Sequence, residues 1–213
     1  MNHILRYIFF VLVVRPVILI ILGINVRYQD RLLDRMPCIV APNHNSHLDT
    51  MVLMTLFPLQ FLKKIRPVAA SDYFLKNKYL AWFALKIIGI VPIKRSGSDK
   101  GEDILAPCSD ALRQGDILIF FPEGTRGEPE RLASFKSGIA RLAEKHPDIP
   151  VIPVFMHGLG KALPKGEWLP VPFFCDAVVG EAVYWPGTRS EFMQNLNAAM
   201  KSLASEISAA PWE

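Results

Sequence analysis

The chain has 213 residues, enough for one domain with a sizeable core. Hydrophobic residues make up 51% and charged ones 21%, with a mean hydropathy of +0.23, which excludes a disordered chain and exceeds an ordinary water-soluble enzyme in apolar character. The formal charge of +4 is uneven: residues 60–100 hold nine Lys/Arg against two Asp, a net +7, leaving −3 for the remainder.

In chain order, the first element is the apolar stretch of residues 8–24. Its 17 residues are interrupted by Arg15 and Pro16; as a helix it would reach about 25 Å, the short limit for crossing a bilayer. A central arginine costs roughly 2.5–3.5 kcal/mol on insertion, and Pro16 invites a kink. Two short helices dipping into one leaflet, with Arg15 snorkelling, accommodate both residues better than a clean span. No small-x-small cleavage site follows Gly23, and Arg27, Arg31 and Arg35 fit a retained anchor on the cytoplasmic face of the inner (plasma) membrane. The expectation is a membrane-associating helical segment at 1–30 before a domain at 31–213.

Beyond it, short apolar runs predict strands at 38–42, 67–71, 89–93, 116–121, 150–156 and 173–185. Helices are predicted near 49–57, 73–87, 101–114 (despite Pro107), 135–146 and 189–208. In the last of these Phe192, Leu196, Met200, Leu203 and Ile207 recur at helical spacing. This alternation predicts a single α/β domain with a mixed, largely parallel sheet flanked by helices. Cys38, Cys108 and Cys175 form no C-x-x-C pair and read as small core residues in a reducing compartment. The basic segment interleaves with the aromatic run "YLAWFALKIIGI", and beside an apolar N-terminus this pattern favours an anionic membrane surface over nucleic acid.

The first polar constellation is "NHNSHLD", residues 43–49, just after a predicted strand. Ser46 and Asp49 have the spacing of a capping box, so Asp49 has a purely structural reading, and either His44 or His47 could be a surface residue of the turn. The second is "FPEGTR", residues 121–126, also at a strand end. There Gly124 lets backbone approach a ligand, and Arg126 offers a planar fork suited to phosphate, with Lys136 ten residues on. Its bland alternative is a tight turn with a Glu123–Arg126 surface pair worth about 0–1 kcal/mol.

Taken together, these segments resemble the glycerolipid acyltransferases. "NHNSHLD" is similar to their N-H-x-x-x-x-D block, "GIVPIKR" (89–95) to their second, "FPEGTR" to their third and "VIPVFMHG" (151–158) to their fourth. The "FKSG" at 135–138 also resembles the family. The resemblance covers roughly residues 38–185; the short N-terminus with Arg15 and Pro16, and the brief carboxyl end, depart from it.

The resemblance implies acyl transfer from a thioester, carried by acyl-CoA or acyl-carrier protein, to the hydroxyl of a lysophospholipid. The acceptor expected first is 1-acyl-glycerol-3-phosphate, giving phosphatidic acid, with no cofactor beyond the co-substrate. It implies His44 as general base and Asp49 as its orienting partner, without an acyl-enzyme. Positions five apart on one helix diverge by about 140°, so the pair can meet only if His44 precedes the helix and Asp49 lies in its first turn. Arg95, Glu123, Gly124, Thr125, Arg126 and Lys136 would bind the substrate, with Glu123, Arg126 and Arg95 on the acceptor's glycerol phosphate and backbone amides near Gly124 facing the oxyanion. The partners expected are therefore the lysophospholipid, the acyl thioester, an anionic membrane and, where it carries the donor, acyl-carrier protein, but no nucleic acid. Two rivals remain: a metal-dependent hydrolase ligated by His44, His47 and Asp49, and a lipid-binding module without catalysis.

Overall fold

In the computed structural model, described for residues 2–46, 48–94, 103–127, 132–162, 171 and 173–208, the chain forms a seven-stranded sheet. The strands are β1 (Leu22–Arg27), β2 (Ile39–Pro42), β3 (Ile65–Ala70), β4 (Val91–Ile93), β5 (Ile117–Ile119), β6 (Val151–His157) and β7 (Phe173–Val179). Their order is β1-β7-β6-β2-β5-β3-β4, and every pairing is parallel except β6 with β7. The mixed, largely parallel α/β sheet expected from the alternation is therefore present.

Side chains alternate across the strands and divide the core into two layers. On β2, Cys38 and Val40 join one layer while Ile39 and Ala41 join the other. The first layer is covered by helix Leu48–Thr55, by Ala84–Ile88 and by the N-terminal helical run. The second is covered by helices Ala106–Arg113, Gly138–Lys145 and Arg189–Ser208. The last spans the predicted residues and buries Phe192, Leu196, Met200 and Leu203. All three cysteines are free and buried.

Several boundaries differ from the sequence expectation, each for a local reason. Pro107 does not break its helix because it sits in the first turn, where its missing N–H is one of the groups a helix leaves unpaired anyway. The expected helix at 73–87 is interrupted: Ser71–Phe74 ends, and Asn77 caps a new start by accepting from the Tyr79 and Leu80 amides. The strand expected to reach residue 185 stops at Val179, with an isolated bridge from Val151 to Val183 beyond it.

The N-terminus departs most. Instead of two helices kinked at Pro16, it is one continuous run in which Phe10–Val14 takes the wider π form. There the Arg15 amide donates to the Phe10 carbonyl, and this wide turn accommodates the donor that Pro16 lacks. The inner face of the run is core: Phe10, Val14 and Ile18 are buried, and Arg6, also buried, donates from Nη2 to the Ile65 carbonyl at 2.8 Å. The outer face exposes Ile4, Ile8, Leu12, Leu19 and Ile20. The chain then turns back into β1, which the sequence did not lead us to expect, and pairs with β7 along six residues.

The topology positions a crevice. Neighbours β2 and β5 are followed by connections that leave on opposite faces, helix Leu48–Thr55 on the first layer and helix Gly138–Lys145 on the second. Such a switch point parts the loops at the carboxyl ends of the two strands.

Candidate active site

Both polar constellations lie at that switch point. Asn43 is the first residue after β2, and its buried side chain continues the ladder that Pro42 cannot donate to. Its Nδ2 donates to the Met156 carbonyl at 2.8 Å, and its Oδ1 accepts from the Met156 amide at 2.7 Å. His44 therefore leaves the sheet from a fixed point.

From the loop His44 turns back onto the helix start, as the five-residue spacing requires. Its Nδ1 is 2.9 Å from Asp49 Oδ2. The same oxygen accepts from the Asn45 and Ser46 amides at 2.7 and 2.8 Å, while Ser46 Oγ accepts from the Leu48 amide at 3.3 Å. Asp49 thus caps the helix and grips the imidazole with one oxygen, so the structural reading and the functional one describe the same carboxylate. Asp49 is buried, whereas the His44 side chain is 19% exposed and its Nε2 has no partner among the described residues. Phe121 stacks on the imidazole, centroids 4.0 Å apart, which limits ring rotation.

The turn after β5 closes on this loop. Glu123 Oε1 accepts from the His44 amide at 3.2 Å, and the Gly127 amide donates to the His44 carbonyl at 2.9 Å. Glu123, expected among the acceptor's contacts, has its carboxylate buried against the His44 main chain. Burial, against the pull of the His44 amide and with the added repulsion of Asp49, pushes that carboxyl up to about 7. Gly124 adopts φ +72°, and its own amide donates to the Phe121 carbonyl, so it is not a free oxyanion donor. The Thr125 and Arg126 amides have no partner among the described residues.

Two cations flank the turn. Lys136 donates its amide to the Pro122 carbonyl at 2.8 Å, and its side chain crosses Gly124, where a Cβ would meet Cδ and Nζ at 3.0 Å. Arg126 is half-buried and its guanidinium has no ion pair or hydrogen bond among the described residues. Hence His44, Asp49, Glu123, Gly124, Thr125, Arg126 and Lys136 fall in one place, while Arg95 and His47 lie outside the described residues. Among the described residues no group of three or more His, Cys, Asp or Glu could hold a metal ion. Asn43 and Phe121 went unselected in the sequence; the only signal was a polar residue and an aromatic one at the ends of neighbouring apolar runs.

A mixed, largely parallel sheet with a histidine–carboxylate pair and a cationic turn at its switch point defines an α/β protein whose site has the groups that proton transfer beside an anion requires. Residues 23–157 match the family model described as Acyltransferase, and the chain belongs to that family. It is 30% identical over 191 residues to the 1-acyl-sn-glycerol-3-phosphate acyltransferase of Pseudomonas aeruginosa, covering 87% of this chain and 70% of that one. It is 34% identical over 131 residues to a chloroplastic 1-acyl-sn-glycerol-3-phosphate acyltransferase of Brassica napus, but spans only 36% of that protein's length and 62% of its own. The crystal structure of the 1-acyl-sn-glycerophosphate acyltransferase PlsC from Thermotoga maritima shares the fold, with a TM-score of 0.71 over 90% of this chain and 74% of that one at 24% identity.

Proposed function

We propose that this protein is a membrane-associated O-acyltransferase that esterifies a lysophospholipid from an acyl thioester, with 1-acyl-glycerol-3-phosphate as acceptor and phosphatidic acid as product. The observation that carries the reading is the 2.9 Å contact between His44 Nδ1 and Asp49 Oδ2, which leaves Nε2 without a partner among the described residues. His44 Nε2 takes the proton of the acceptor hydroxyl as its oxygen bonds to the thioester carbonyl carbon. Asp49 holds the tautomer and stabilises the imidazolium. Collapse of the tetrahedral intermediate breaks the C–S bond, and the imidazolium returns the proton to the departing thiolate. The developing oxyanion falls to the Thr125 or Arg126 amide, and the phosphate to Arg126 and Lys136, with Arg95 assisting.

Division of labour along the chain follows: residues 1–30 contact the membrane and 31–213 carry the chemistry. The two membrane signals of the sequence, far apart in the chain, form one surface. Phe9 meets Phe83 edge-on at 5.3 Å, and Ile4 lines one shallow hollow with Trp82 and Lys86, while Ile8, Leu12 and Tyr79 are likewise exposed. The run His3–Ile20 is long and apolar enough to cross a membrane, but its inner face is packed on the sheet. A helix lying in one leaflet at the cytoplasmic face fits both facts. The protein in detergent, given acyl-CoA or acyl-carrier protein donors and a panel of lyso-lipids, should acylate 1-acyl-glycerol-3-phosphate in preference. Absence of any ester product with every donor and acceptor would defeat the reading.

A further inference from the structure

His44 is gripped at its ring by Asp49 and at its main chain by the turn after β5, and the two grips use different carboxylates. We infer that Glu123 is a positioning residue that holds the His44 backbone, rather than a contact of the acceptor. This rests on His44 being the base.

Geometry separates Glu123 from its neighbours in the same turn. Gly124 and Thr125 are exposed and Arg126 is half-buried, while Glu123 is 2% exposed. Its Oε1 accepts the His44 N–H, and four residues on the Gly127 N–H donates to the His44 carbonyl, so one short turn holds both backbone polar groups of His44. Asn43, fastened to Met156 through its side chain, fixes the preceding residue. The base is therefore mounted on β5 and β6 as well as on its own strand. A buried carboxylate is also a poor partner for a phosphate, since like charges repel and this one has no route to solvent. Burial that pushes its carboxyl up to about 7 leaves it neutral for much of the time near physiological pH. Either protonation state still presents an oxygen to the His44 amide, which is what a mount requires and a charge contact does not. Its other oxygen, Oε2, has no partner among the described residues.

The test uses the full chain in detergent, with kcat and KM measured separately for acyl-CoA and 1-acyl-glycerol-3-phosphate, and thermal unfolding as a control. Glu123→Ala is expected to lower kcat by about 10- to 100-fold with acceptor KM within about twofold of wild type. Glu123→Gln keeps an acceptor oxygen at the same reach and should hold kcat within about fivefold. Glu123→Asp keeps the charge but falls one methylene short, and should resemble alanine. If alanine does not fold, the glutamine and aspartate variants decide alone. An aspartate variant that outperforms glutamine, or a rise in acceptor KM at unchanged kcat, overturns the inference. Its failure is separable from that of the parent reading. An active His44→Ala enzyme removes the base itself, whereas an inactive His44→Ala beside a fully active Glu123→Ala removes only the mount.

Discussion

The Lys136 side chain lies directly across Gly124, with Cδ and Nζ 3.0 Å from where a Cβ would stand. Gly124→Ala therefore both strains a φ of +72° and displaces the lysine. A left-handed non-glycine residue costs of order 1–3 kcal/mol, so a lower melting temperature is expected alongside a several-fold rise in KM for the phosphorylated acceptor. Adding Lys136→Ala should raise that KM little further, because the two changes remove one contact. Full additivity in a double-mutant cycle would place Lys136 elsewhere in the chemistry.

Arg126→Ala should raise acceptor KM far more than donor KM. A charge-assisted bidentate contact contributes about 1.5–3 kcal/mol, or roughly ten- to a hundred-fold in binding, well above the worth of a surface pair. Steady-state kinetics with a phosphorylated acceptor and its dephosphorylated counterpart reads this out; equal loss on both acceptors would contradict the assignment.

His44 and Asp49 differ in what else they hold. His44→Ala should lose kcat by about 10²- to 10⁴-fold with little change in melting temperature. Asp49→Asn retains an oxygen for the Asn45 and Ser46 amides but not the charge facing Nδ1, so it should approach His44→Ala in activity and wild type in stability. Asp49→Ala leaves both amides without their acceptor, at about 1–3 kcal/mol each, and should lose stability as well.

Glu123 gives stability a pH dependence of unusual sign. Its carboxyl is raised from 4.5 to about 7 in the folded chain. Between those values the folded protein holds a proton that the unfolded chain has released, so this group's contribution to stability falls as pH rises and levels off above about 7. Asp49 and the His44 ring are present in wild type and variant alike. Glu123→Gln removes the ionisation, and its melting temperature relative to wild type should be more favourable at pH 8 than at pH 5. Thermal melts giving a constant difference would show that Glu123 does not titrate in this range.

Residues 1–25 are not a detachable anchor. Deleting them removes Phe10, Val14, Ile18 and Leu22 from the core and most of β1 from the sheet. At about 1.5–3 kcal/mol per buried side chain, the loss is comparable with the entire stability of a typical domain, about 5–15 kcal/mol. The truncated chain should be insoluble or molten. Replacing exposed Tyr79 and Trp82 with serine should instead weaken binding to anionic vesicles at unchanged melting temperature, as a flotation assay would report.

Much of this fold was legible because its strands announce themselves twice, by apolar content and by punctuation. β2 through β6 all fall on short apolar runs bounded by Pro, Gly or Asp. β1 was not legible: Leu22–Arg27 continues from the helical run that ends at Ile21 without a break strong enough to mark a change of structure, and only its partner β7, some 150 residues on, makes it a strand. The histidine–aspartate pairing followed from spacing and helix geometry. Glu123's burial did not, because nothing local says which way a turn residue points once a second loop packs over it.

The β1–β7 pairing also sets an order of events. Residues 22–27 must wait for 173–179, which leave the ribosome last among the strands, before the sheet can gain its edge. At synthesis rates of about 5–20 residues per second, that wait lasts roughly ten to thirty seconds. Until then the N-terminal helix can meet its earlier partners around Ile65 and Phe83, but the strand that follows it has no neighbour to pair with. A lipid leaflet would shelter the helix's exposed Ile4, Ile8, Leu12, Leu19 and Ile20 in the interval, so a membrane surface would serve first as a place of assembly.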